Sequence, residues 1–174
     1  ADTKFFAGTF DGQGHTITGL KNGTYIPSGD SVKDKEYLFG LFGFTYNATV
    51  ENLYLDQVEI DTYSDTADAD QGDGVAALVG YSYGSLYVDN VHVSSGSIVG
   101  NDGVAGIVGR AYGSTTIIIN SSNAASIVQK KDNGKAGGLV GIASSASTQV
   151  VIEGCTNTGA VMGENVGGII GYVG

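Results

Sequence analysis

The phrase DGVAGIVG, residues 102–109, decides how this chain is read, because it is said five times. The other copies are EYLFGLFG at 36–43, DGVAALVG at 73–80, GKAGGLVG at 134–141 and ENVGGIIG at 164–171. Aligned on the last glycine, they end at Gly43, Gly80, Gly109, Gly141 and Gly171, so the spacings are 37, 29, 32 and 30 residues. A second phrase follows each of the first four: VENLYL at 50–55, VDNVHV at 88–93, IINSSN at 118–123 and IEGCTN at 152–157. Two phrases kept in order at a period of this size are the signature of a repeat array.

Each phrase is short, rich in Val, Ile, Leu and Gly, and bounded by Gly, Asp, Asn or Ser, the pattern of strand and turn. No window places apolar residues at helical spacing over three or four turns. The 29 glycines would each cost a helix roughly 1 kcal/mol against alanine. One period holds three predicted strands, at 104–108, 115–119 and 126–129. Stacked turn upon turn about 4.8 Å apart, such strands make a parallel β-helix of four to five coils, an all-β solenoid. The whole of 1–174 reads as one domain. Residues 1–20 form an opening coil or cap, 36–174 the repeated coils, and 21–35 and 61–73 are loop insertions.

The opening stretch FFAGTFDGQGHTITGL, residues 5–20, resembles the first coil of pectin-lyase-like right-handed parallel β-helices. The recurring G-G-[LI]-[VI]-G wording resembles GLUG-type repeats of large bacterial surface and secreted proteins. The right hand of the helix is implied by that resemblance alone. The Gly-x-Gly of 12–14 is no phosphate loop, since no helix follows it to supply an anion-binding N-terminus.

A net charge of −10 and scattered lysines argue against nucleic acid and against an anionic membrane surface as partners. A single cysteine, Cys155, excludes an internal disulfide and reads as a small buried residue. Neither a secretory signal nor a membrane-spanning run is present. The chain starts on ADTK and stops just after a fifth anchor phrase, which reads as a segment of a longer protein.

Four sets of residues invite a chemical reading. Tyr46, Tyr83 and Tyr112 each stand three positions after an anchor glycine, with Tyr81 two before Tyr83. In register they form a strip of rings, suited either to packing between coils or to stacking against a sugar. The loop at 61–73 carries five aspartates, of which Asp68, Asp70 and Asp73 offer oxygen ligands for calcium. The helical-hand pattern fails there, because Val79 stands where the twelfth-position carboxylate belongs. Asn52, Asn90 and Asn120 form a column, replaced by Gly154, and read as a structural amide ladder. Glu51, Asp89 and Glu153 fall at or beside one column broken by Ile119. Arg110 is the one arginine and has no basic partner in neighbouring coils. His15 and His92 make no nucleophile–base pair by spacing. Three N-x-Ser/Thr matches, at Asn22, Asn47 and Asn120, are expected by chance.

The resemblance implies that related lyases use calcium-bound acids with a basic residue, and related hydrolases a group of aspartates. The acids here stand on a convex ladder without a cleft, so the expectation is a non-catalytic module. It would bind or adhere at a bacterial surface or outside the cell, with a glycan or a host or cell-surface protein as partner. A neighbouring domain of the same chain is expected at the C-terminal end, and no direct insertion into a membrane. A structural spacer is the alternative, and a polysaccharide lyase or hydrolase the second.

Overall fold

A computed structural model describes residues 5–22, 38–63, 74–144 and 148–174. It is all-β, with no helix among the described residues, and its parallel strands stack as a β-solenoid of about four turns. The predicted fold class is therefore found. The turn of the chain that begins at the third anchor phrase shows the plan. It runs Val108–Tyr112, Thr115–Ile119, Ser122–Asn123, Ser126–Gln129 and Lys135–Gly137, five walls in succession. In the preceding turns the first three walls merge into one long bent strand, Phe42–Asp56 or Val79–Val93.

The sequence predicts three strands per turn, and the structure divides them further. Thr115–Ile119 and Ser126–Gln129 fall where expected. The strand expected at 104–108 is two, Val104–Ala105 and Val108–Tyr112, separated by a bend at Gly106 and Ile107. An added Cβ at Gly109 would lie 2.3 Å from the Val75 backbone nitrogen, so glycine there lets the strand close on Gly74–Ala76 of the preceding turn.

Register is kept from turn to turn, with shifts between Phe6 and Gly8, Asp11 and His15, and Tyr46 and Ala48. Tyr46 pairs with Tyr83, Glu51 with Asp89, and Val50 with Val88, while Tyr83 pairs with Tyr112. Successive strands of the three sheets pair in parallel from turn to turn, in sheets of ten, four and five strands. Side chains alternate along a strand, so every second residue enters the interior. There they form columns such as Leu53 over Val91 and Val50 over Val88 over Ile118, all essentially without exposure. The apolar core fills the bore from Phe10 to Ile170. Cys155, at the foot of the Leu53–Val91 column, is partly buried, and its thiol sits within reach of the Ile118 and Glu153 carbonyls.

The corners explain the asparagine column. Asn52, Asn90 and Asn120 have φ of 55°, 54° and 49°, and Gly154 continues the series at 62°. That left-handed conformation favours glycine and asparagine over other residues. The amide ladder is shorter than the column. Asn90 Nδ2 donates to Asn52 Oδ1 at 2.9 Å, and Asn52 Nδ2 donates to Asp11 Oδ1 at 3.1 Å. Asn120 Nδ2 donates instead to Asp89 Oδ1, and Asn90 Oδ1 meets the His92 ring. Backbone geometry, which Gly154 retains, is thus the common property of the four positions.

Candidate functional site

The first wall presents two outward columns. One is Phe44, Tyr81, Arg110, Ile142 and Tyr172, of which Ile142 is covered to 3% exposure; the other is Tyr46, Tyr83 and Tyr112. Between them Thr45, Ser82, Ala111 and Ala143 point inward and are buried. Small residues in that interior column let the wall lie close over the core, and alternation then turns the larger rings to solvent.

The second column is a stack of rings. Tyr46 and Tyr83 have centroids 5.9 Å apart at 16° between planes, and Tyr83 and Tyr112 are 5.7 Å apart at 18°. All three remain exposed, at 38%, 44% and 41%. Tyr81 leans toward Tyr112 at 6.4 Å, and Phe44 meets Tyr81 edge-on at 5.3 Å. At the opening end Phe5 covers Tyr46, with centroids 5.4 Å apart. The four predicted tyrosines are therefore brought together on one face. Phe5 and Phe44 extend the strip and were missed; Phe44 was open to detection, since it follows its anchor glycine as Tyr81 does. Polar groups border the rings. Asn47, whose Oδ1 accepts from the Ser85 backbone N–H at 2.9 Å, forms the corner beside Tyr46.

The acids stand on the next wall. Asp11, Glu51, Asp89, Ile119 and Glu153 occupy one register position, outward. The column is as the sequence implied, with Asp11 added at its head. The Asp11 carboxyl is held below the usual carboxylate range by the Gln13 backbone N–H, then by the Asn52 amide. Tyr87, beside this column, has its phenol pushed up, by burial first and then by the charge of Asp89. Asp56, at the following corner, is lowered by the Ser95 hydroxyl and then that of Ser94.

Arg110 is committed to an ion pair, its Nη2 3.1 Å from Asp102 Oδ2, with both side chains more than four-fifths covered. Asp102 also accepts the Lys135 backbone N–H at 2.7 Å. His92 is likewise occupied, stacked on Tyr54 and within 2.8 Å of Ser122 Oγ. No group of three or more His, Cys, Asp or Glu side chains that could hold a metal occurs among the described residues. Asp68, Asp70 and Asp73, the candidate calcium ligands, lie outside the described residues. A depression of about 540 Å³ opens elsewhere, beside Lys135, Glu164, Asn165 and Tyr172. Compared with known proteins, the chain matches no family model, no curated protein and no solved structure.

Proposed function

We propose that this solenoid is a non-catalytic binding module that works at a cell surface or outside the cell, with glycans as its target. The observation that supports this is the row of three parallel, exposed rings, Tyr46, Tyr83 and Tyr112. Sugar rings stack their apolar faces on aromatic side chains, while their hydroxyls need polar neighbours such as Ser85 and Asn47 at the corner. The resemblance of 5–20 and of the anchor phrases to right-handed, pectin-lyase-like β-helices and GLUG-type surface proteins points to the same setting. Calcium enters this proposal only through the aspartates of 61–73.

A spacer is the second reading, favoured by one observation: the rings already stack on each other, which is a complete role in packing. An array of glycans probed with and without calcium, followed by Tyr83→Ala, separates the two. A binder loses about 1–3 kcal/mol of affinity, tenfold to a hundredfold, on losing the central ring, with a small change in melting temperature. A large drop in melting temperature with no glycan bound by the parent protein assigns the tyrosines to packing.

A further inference from the structure

Among the described residues, tyrosine is paired in register with tyrosine at one place. Tyr54 has Thr16 and His92 near it in register, Tyr87 has Thr49 and Ile117, and Tyr81 has Phe44 and Arg110. Tyr46, Tyr83 and Tyr112 are instead set one upon another by the parallel pairing of three successive turns. What this row adds to a packed stack is a phenol on every ring, and neighbouring phenols have a chemistry of their own.

The rings are close and slipped. Carbon atoms in contact lie about 3.5–4 Å apart, whereas these ring centroids are 5.9 and 5.7 Å apart at 16° and 18° between planes. Nearly parallel rings at that separation are displaced sideways, as offset-stacked pairs are, so that the edge of one ring lies over the edge of the next. The backbones beneath stand closer, at about 4.8 Å, and a small rotation about the side-chain bonds brings the ring edges together. All three rings are open to solvent and to a reagent. The chain has no tryptophan, which leaves tyrosine as its most readily oxidised aromatic side chain.

We infer that this row is an oxidative cross-linking site, at which a one-electron oxidant of the haem peroxidase class, supplied with hydrogen peroxide, joins Tyr83 covalently to Tyr46 or to Tyr112. Each of two phenols gives up one electron and one proton and becomes a phenoxyl radical. The two unpaired electrons form a carbon–carbon bond between ring positions ortho to the hydroxyls. The hydrogen on each bonded carbon then passes as a proton to the phenolic oxygen, which restores the aromatic rings. Two tyrosines and one hydrogen peroxide thus yield one dityrosine and two waters. The bond staples one turn of the solenoid to the next, joining residues 37 apart for Tyr46–Tyr83 or 29 apart for Tyr83–Tyr112. It restricts the unfolded chain as a disulfide does. The inference holds whether the strip binds a glycan or only packs.

The test oxidises the dilute protein with a haem peroxidase and hydrogen peroxide, follows dityrosine fluorescence, and maps the linked peptides by mass spectrometry. The expected product is a monomer lighter by two hydrogens, with the link at Tyr46–Tyr83 or Tyr83–Tyr112. Its melting temperature should stand several degrees above that of the untreated protein. Tyr83→Phe keeps the ring without the phenol; it should melt like the parent and lose most of the fluorescence. Tyr81→Phe removes the wider Tyr81–Tyr112 pair, 6.4 Å apart at 30°, leaves the row whole, and should keep the fluorescence. Links only between separate molecules, a yield in Tyr83→Phe equal to the parent's, or links that map chiefly to tyrosines outside the row would each overturn the proposal. So would an absence of dityrosine under conditions that cross-link free tyrosine.

Discussion

DGVAGIVG at 102–109 and ENVGGIIG at 164–171 are the same phrase in two surroundings. In the first, Val104, Ile107 and Val108 have no exposure; in the second, Val166 and Ile169 are 44% and 37% exposed. Both form the same strands with the same bend between them. The difference lies in whether another turn stacks on top. In a solenoid each turn contacts only its neighbours, so local sequence sets the shape and the neighbour sets the stability.

The sharpest way to break the comparison is to place a carboxylate in both copies. Ile107→Asp buries an unpaired charge and should cost several kcal/mol, enough to abolish cooperative melting. Val108→Asp should do the same. Ile169→Asp, at the equivalent place in the last turn, should cost about 1 kcal/mol or less. If Ile107→Asp melts like the parent in a thermal denaturation followed by circular dichroism, the anchor phrases are not core.

Alanine at the glycines of these phrases should give a smaller contrast. At Gly138 a Cβ would lie 2.1 Å from the Gly168 carbonyl oxygen as well as against Asn157, so backbone must move. At Gly168 a Cβ would meet nothing within 4 Å. We expect Gly138→Ala to destabilise by about 1–3 kcal/mol and Gly168→Ala to fall within about 0.5 kcal/mol of the parent. Denaturant titration of both variants checks this, and equal losses would remove the distinction between covered and open glycines.

The smallest effect expected is in acid, and it belongs to the opening half of the molecule. Asp11 and Asp56 have folded pKa values below their ordinary ones, held there by the Gln13 N–H and the Ser95 hydroxyl foremost. A lowered folded pKa contributes stability above the unfolded value, about 3.9, and that contribution disappears as pH falls through the folded value. Melting temperature should therefore decline gently below about pH 4. Asp56→Asn should flatten the decline, and a slope identical to the parent's would show that the Ser94 and Ser95 contacts carry none of it.

The repeat was legible because glycine is required where two backbone arms meet, and Gly43, Gly80, Gly109, Gly141 and Gly171 mark that place in every turn. The tyrosines were legible for the same reason, being at a fixed offset from those glycines. The bend at Gly106–Ile107 was not. An apolar run such as VAGIV looks like one strand, and alternation cannot choose between Ile107 and Val108 when a bend turns both inward, as the burial of both shows. The interior asparagines were also missed. Asn123 and Asn157 hold a position that Leu55 and Val93 fill elsewhere, and Gly106 and Gly138 replace Ala77 in the matching phrases. The glycine alone does not announce them, because Gly40 holds the same place in the first phrase while its turn carries Leu55. The stacking of Tyr46, Tyr83 and Tyr112 follows from register, but whether a ring serves packing or a ligand is not a property that spacing encodes.

Parallel pairing between successive turns has a mechanical consequence. The bonds that join one turn to the next lie along the axis, so tension applied between the two ends pulls on turns in series and peels them singly. Each release would free the residues between two anchor glycines, 29 to 37 of them, or about 100–130 Å of extended chain. Under load such a module would lengthen by one turn at a time, and the turns still stacked would keep their side-chain columns in register.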